Sequence, residues 1–190
     1  NLAVLQNAFR ARTEHLEAHP LFVHELNDVV GEADVVVVSP DEGGVKRASK
    51  FAEGFGAVLG REVPTAFVEK TRKADGVRGG TLVGDVDGRV AIIVDDLIST
   101  AGTITQATSA AAAGGAEAVY AAATHGLFVG PANKRIANAP LDALFVTNTV
   151  APQLTGAAGE RLHICNAAPR FAAAIRAIHT ETSVSALNEV

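Results

Sequence analysis

Short apolar runs rich in β-branched residues recur along the chain, at Val35 to Val38, Thr65 to Val68, Val90 to Val94, Ala118 to Ala123, Ala143 to Thr147 and Leu162 to Cys165. Each has the length of a strand, and most are separated by stretches with helical spacing. Val45, Ala48, Ala52, Phe55 and Leu59 fall three and four residues apart, which predicts an amphipathic helix over Gly44 to Leu59 ending at Gly60. Further helices are predicted from Thr103 toward Gly114 and Gly115, over Pro131 to Asn138, and over Pro169 to His179 with Phe171, Ile175 and Ile178 packed inward. Strands alternating with helices imply an α/β fold, a parallel sheet with helices on both faces. Asp87-Gly88 predicts a hairpin turn joining a strand at Thr81 to Val86 to the run at Val90. Lys70 to Gly80 is polar, charged and glycine-containing, which predicts a mobile loop or flag.

At 190 residues and 48% apolar content, the chain can bury a core and fits one domain with at most a short appendage. A net charge of −5 argues against a general nucleic-acid surface and makes the few basic clusters candidate local ligand sites. No apolar run approaches the roughly 18 residues of a membrane span, and no basic region followed by an apolar one opens the chain, so a cytoplasmic protein without membrane partners is expected. Cys165 is the one cysteine; it excludes an internal disulfide and reads as a buried thiol. The chain begins at Asn1 and contains no methionine, which suggests a fragment of something longer.

The most informative stretch is Val90 to Thr105, VAIIVDDLISTAGTIT. A strand buried on both faces ends in two adjacent carboxylates and passes through a small, hydroxyl-rich loop into a helix. At such a junction the first helical turn presents unpaired N–H groups and the positive end of the helix dipole, both suited to an anion. Ser99, Thr100 and Thr103 add hydroxyl donors, while Ala101 and Gly102 let the backbone approach phosphate oxygens. Asp95 and Asp96 would repel a phosphate but suit the vicinal hydroxyls of a ribose, or a divalent cation. The pattern points to a sugar phosphate divided between loop and acid pair.

Ser39-Pro40-Asp41-Glu42-Gly43-Gly44 follows a valine run and precedes a helix, so Asp41 falls at the carboxyl edge of the sheet. It is a candidate cation ligand, or a helix N-cap with no ligand. Lys70, Arg72 and Lys73 concentrate positive charge after a strand, either as a solvated loop or as a flap able to close over substrate. His125 ends a further strand on the same edge and reads as structural. His15, His19 and His24 lack metal-ligand spacing and read as surface or subunit-contact residues.

Taken together, these segments resemble one family. VVDD followed by T-x-GT resembles the phosphoribosyl diphosphate loop of type I phosphoribosyltransferases. SPDEGGVKRA ending at Ala48, the Lys-x-Arg-Lys of Lys70 to Lys73, ATHGLFVG from Ala123, TNT from Thr147 and TSVSAL from Thr182 are similar in order and spacing to the phosphoribosyl diphosphate synthetases, also called ribose-phosphate pyrophosphokinases. Ordinary phosphoribosyltransferases share only the acid-pair loop. Ser99 stands where many members carry a third aspartate; archaeal-type members resemble this chain there.

The resemblance implies a three-layer, parallel-sheet, type I phosphoribosyltransferase-like domain with a flag hairpin or loop, spanning 31–168. Residues 1–30 would close a preceding half that carries most of the ATP site, and 169–190 would form a C-terminal helix and tail. It implies Mg2+, with ATP as co-substrate, and transfer of diphosphate to the 1-hydroxyl of ribose 5-phosphate. Lys70 and Arg72 resemble the catalytic pair. Arg72, Asp95, Asp96, Ser99, Thr100, Ala101, Gly102 and Thr103 would bind ribose 5-phosphate, and Asp41 would contact magnesium. A homo-oligomer is implied, dimer-based and up to a hexamer. The alternatives are a nucleobase phosphoribosyltransferase and a non-catalytic regulatory homologue.

Overall fold

A computed structural model describes residues 2–11, 13–72 and 78–190. Seven strands form one sheet: β1 (Val35–Ser39), β2 (Thr65–Arg72), β3 (Arg78–Val83), β4 (Val90–Ile98), β5 (Ala118–Gly126), β6 (Ala143–Thr147) and β7 (Leu162–Cys165). Their order is β3-β2-β1-β4-β5-β6-β7, parallel except for β3, which runs antiparallel to β2. Helices α1 (Leu2–Ala8), α2 (His19–Val30), α3 (Val45–Leu59), α4 (Gly102–Ala113), α5 (Ala132–Asn138), α6 (Gly156–Glu160) and α7 (Ala168–His179) complete the chain with two short 3-10 turns.

The central strands alternate their side chains between two cores. Val36, Val38 and Ile93 face a layer built on Ile104, Ala107 and Ala111 of α4 and Ile136 of α5. Val35, Val37 and Ile92 face the opposite layer, Phe22, Val23 and Leu26 of α2 with Phe51 and Phe55 of α3. Both faces of β1 and β4 are therefore dry, which explains why these strands read as unbroken apolar runs. Alanines at 107, 111, 121 and 123 let α4 lie close on the sheet.

Strand order places the site. From β1 the chain turns to β2 and β3 on one side, and from β4 onward to β5, β6 and β7 on the other. The boundary between β1 and β4 is the topological switch point, where loops diverge and leave a crevice at the carboxyl edge. Both acid-bearing loops predicted from sequence, the one at Asp41 and the one from Asp95 to Thr103, leave the sheet there.

Two expectations are corrected. Asp87-Gly88 does turn the chain, with Gly88 at φ +65, but it does not close a hairpin onto β4. β3 pairs with β2, while β4 is flanked by parallel β1 and β5. A strand as apolar as β4 needs cover from buried neighbours, and a half-polar strand such as β3 suits the sheet edge. The second correction concerns α7. Phe171, Ile175 and Ile178 are 52%, 68% and 59% exposed, whereas Ala174 and Ala177 are buried against Val184 and the partly buried Leu16 and Leu187.

The charged stretch predicted as a loop or flag is partly strand. Lys70, Thr71 and Arg72 pair with Gly80, Gly79 and Arg78 in an antiparallel ribbon. Lys73 lies outside the described residues.

Phe55 is fully buried at the centre of the α2–α3 layer. Phe55→Ala is expected to cost about 3–5 kcal/mol of stability, measured by urea unfolding at unchanged m-value.

Candidate functional site

Strand β4 carries its apolar run to Val94, then presents Asp95 and Asp96 beyond the core. Ile98 returns to the interior and Ser99 and Thr100 are exposed. Ala101 then adopts φ +60, ψ +13, a left-handed conformation, and α4 starts at Gly102. The first N–H groups of a helix have no intrahelical acceptor, and here no side chain caps them.

The loop is held from outside through its carbonyls. The N–H groups of Leu127 and Phe128 donate to the Ile98 carbonyl at 2.9 and 3.2 Å, and Val129 N–H donates to Ser99 at 2.9 Å. Arg135 Nη1 donates to the Thr100 carbonyl at 2.9 Å. Thr105 Oγ1 donates to the Ala101 carbonyl at 2.7 Å. A Cβ on Gly102 would stand 3.3 Å from Arg135 Nη1, a close approach that glycine relieves. With the carbonyls engaged, the open side of Ser99 to Thr103 is a donor surface beside a guanidinium, the electrostatics an anion requires.

The acid pair is gripped by one residue. Arg47 Nη1 donates to Asp95 Oδ1 at 2.8 Å and Arg47 Nη2 to Asp96 Oδ2 at 2.9 Å. The Asp96 N–H also donates to Asp95 Oδ1 at 2.8 Å. Asp95 is 17% exposed and Asp96 68%. Burial pushes Asp95 up from 3.8 to about 6, and the Asp96 N–H and Arg47 oppose that rise.

Asp41 sits at the start of the β1–α3 loop, its Oδ1 accepting the Gly44 N–H at 3.2 Å. This is the N-cap geometry that sequence offered as the alternative to a ligand role. Among the described residues no group of three acidic, histidine or cysteine side chains could cage a metal. Magnesium keeps several waters and needs few protein ligands, so a lone carboxylate such as Asp41 fits that ion chemically without a cage.

A cleft of about 610 Å³ opens on the α3 side of the acid pair and includes Arg47, Asp95, Asp96 and His125 in its walls. Residues 99–103 and Asp41 are outside its lining. His125 Nδ1 lies 2.7 Å from Thr149 Oγ1, which is 2.7 Å from Thr147 Oγ1; Thr147 donates to the Thr124 carbonyl at 2.6 Å. His19 Nδ1 pairs with Glu17 Oε2 at 2.9 Å. The structure thus brings Asp95, Asp96 and Ser99 to Thr103 onto one strand-to-helix junction and sets the backbone of Lys70 and Arg72 on the neighbouring ribbon.

Comparison with known proteins matches this architecture. Residues 62–189 fit the model of the phosphoribosyl synthetase-associated domain. The chain belongs to that family. A ribose-phosphate pyrophosphokinase of Caldanaerobacter subterraneus subsp. tengcongensis is 40% identical over 184 residues, covering 96% of this chain and 56% of that protein. One from Aquifex aeolicus is 38% identical, covering 96% and 57%. The crystal structure of phosphoribosylpyrophosphate synthetase from Mycobacterium smegmatis superimposes with a TM-score of 0.79 at 34% identity, over 93% of this chain and 55% of that one. This phosphoribosyl synthetase-family chain therefore spans about half the length of the curated relatives it matches.

Two residues of the site were missed from sequence, Arg47 and Arg135. Arg47 carried a signal: a cation in the first turn of α3 opposes the helix dipole and so asks for a compensating partner.

The raised Asp95 sets a pH dependence. Between about 4 and 6 the folded state holds a proton that the unfolded state has lost, so stability falls as pH rises through that window. Asp95→Asn is expected to flatten this slope and to raise the urea midpoint at pH 7, as read from unfolding curves across that range.

Proposed function

We propose that this chain is the ribose 5-phosphate-binding half of a ribose-phosphate pyrophosphokinase. The observation that carries the reading is the junction itself, an anion-receptive loop and a paired carboxylate site on consecutive residues at the switch point of the sheet. Ser99 to Thr103 hold the 5-phosphate through N–H and hydroxyl donors. Asp95 and Asp96 accept hydrogen bonds from the ribose hydroxyls, which fixes the sugar on the strand end.

In this reading the 1-hydroxyl oxygen attacks the β-phosphorus of ATP. A new O–P bond forms, the bond from the β-phosphorus to the α–β bridging oxygen breaks, and AMP leaves with that oxygen while the hydroxyl proton is released. Asp41 would contact a magnesium ion bound with ATP, and that ion would supply charge neutralisation on the transferring group. Lys70 and Arg72, on a ribbon beside the same edge, complement the charge that develops on the diphosphoryl group. The Ser99 side chain donates to phosphate, a role that a carboxylate could not take. The assembly is a homo-oligomer built on dimers.

The synthetase reading requires the flag; a nucleobase phosphoribosyltransferase does not. In the protein expressed from its complete reading frame, Lys70→Ala is expected to lower AMP formation from ATP and ribose 5-phosphate by about a hundredfold or more. Calorimetric binding of ribose 5-phosphate should persist in the same variant. Undiminished AMP formation removes the flag from the mechanism, and absence of ribose 5-phosphate binding in the unsubstituted protein overturns the reading.

A further inference from the structure

Arg47 reaches from the first turn of α3 to a strand 48 residues further on and places one guanidinium nitrogen on each member of the acid pair. An arginine that merely neutralised a carboxylate would put both nitrogens on the same group, the usual fork. Here the fork is split, and it fixes the separation and orientation of two adjacent carboxylates that otherwise repel. Asp95 Oδ1 is further pinned by the Asp96 N–H, which leaves Asp95 Oδ2 and Asp96 Oδ1 outside the clamp.

The surrounding chain is built to admit this clamp. Gly44 precedes α3, and a Cβ there would stand 2.6 Å from Ser39 Oγ and 3.2 Å from Arg47 Nη1. Any side chain at 44 would press on both the buried serine and the guanidinium. Ser39 Oγ in turn donates to the Asp41 carbonyl at 2.5 Å, and Asp41 Oδ1 accepts the Gly44 N–H. A continuous set of short contacts thus runs from the Asp41 loop, through Gly44 and Arg47, to Asp95 and Asp96. Arg47 also stands where the α3 dipole disfavours a cation, so the acid pair is what holds it there.

We propose that Arg47 is a positioning residue for pentose recognition. It aims the two carboxylates as a single two-acceptor unit at vicinal hydroxyls, and it couples the Asp41 loop to that unit. This rests on the reading that the acid pair receives the pentose. Lysine cannot replace it, because a point charge on a flexible stem does not set two carboxylates at once.

The test compares ribose 5-phosphate with 2-deoxyribose 5-phosphate and inorganic phosphate, by calorimetry on the complete protein and on its Arg47→Ala and Arg47→Lys variants. The unsubstituted protein is expected to prefer the ribose compound by about tenfold or more, the worth of one hydrogen bond to a charged group. In both variants ribose 5-phosphate binding should weaken by about tenfold and the preference over the deoxy compound should fall toward unity. Phosphate affinity should stay unchanged, since the loop is untouched.

Full retention of the preference in Arg47→Lys shows that charge alone suffices and overturns the proposal, as does tighter binding in Arg47→Ala. Should Arg47→Ala fail to fold, Arg47→Lys decides the question. Failure of the unsubstituted protein to bind ribose 5-phosphate overturns the functional reading instead, so the two outcomes are distinct.

Discussion

The site depends on one left-handed residue. At Ala101 the backbone takes φ +60, and this single reversal turns β4 into α4 within the width of the crevice. A Cβ in that region costs about 1 kcal/mol, which is why glycine usually fills such positions. Here the methyl is 4% exposed and belongs to the α4–α5 core, so its burial offsets most of that cost at roughly 0.8 kcal/mol per buried carbon. The turn also drives the carbonyls of Ile98, Ser99 and Thr100 outward onto the 127–129 backbone and Arg135. Their N–H groups then have no carbonyl of the loop to compete with. The anion-receptive face follows from satisfying the carbonyls elsewhere, and the packing that fixes Ala101 is the same packing that fixes α4.

The acid pair shows the opposite economy. Asp95 is drawn into a dry environment that lifts its proton affinity, and Arg47 relieves that only in part. Replacing a partly buried ion pair by neutral groups commonly stabilises a protein, so the arrangement is not explained by stability. Under the proposed function it is explained by acceptors: a carboxylate whose orientation is fixed forms stronger hydrogen bonds to a sugar than one free to rotate in solvent. In that reading, the stability given up at residue 95 prepares a surface for a bound polyol.

Much of this was legible in the sequence. The apolar runs at Val35, Val90 and Ala143 became strands because burial on both faces leaves a composition that no surface element shares. The loop from Asp95 to Thr103 was legible because its chemistry is local, carried by neighbours in the chain. What was not legible is non-local. Whether β3 pairs with β2 or β4 is decided by which strand needs apolar cover, and a turn at Asp87-Gly88 serves either outcome. The stripe of Phe171, Ile175 and Ile178 has helical spacing, yet α7 lies against the C-terminal tail through its alanines, because small residues permit the closer approach. Arg47 and Arg135 act across 48 and 35 residues on partners that no local pattern names.

Topology sets the ribbon of β2 and β3 apart from the rest of the sheet. β1 supports β2 only at Thr65, Ala66 and Phe67, opposite Val37, Val38 and Ser39. Beyond Ser39 the β1 chain bends away as the Asp41 loop, while β2 continues to Arg72 with β3 as its only strand neighbour among the described residues. Glu69 to Arg72 therefore stand past the end of β1 as part of a two-stranded ribbon, a form that is marginal by itself and that β3 supports through its packing on the α4 core at Leu82. The root of this ribbon is one strand away from the acid-bearing edge. Under the proposed function, that placement sets the backbone of Lys70 and Arg72 beside the acid-bearing edge and not within it, so that their charge can act on a transferring group without occupying the crevice that admits the sugar phosphate.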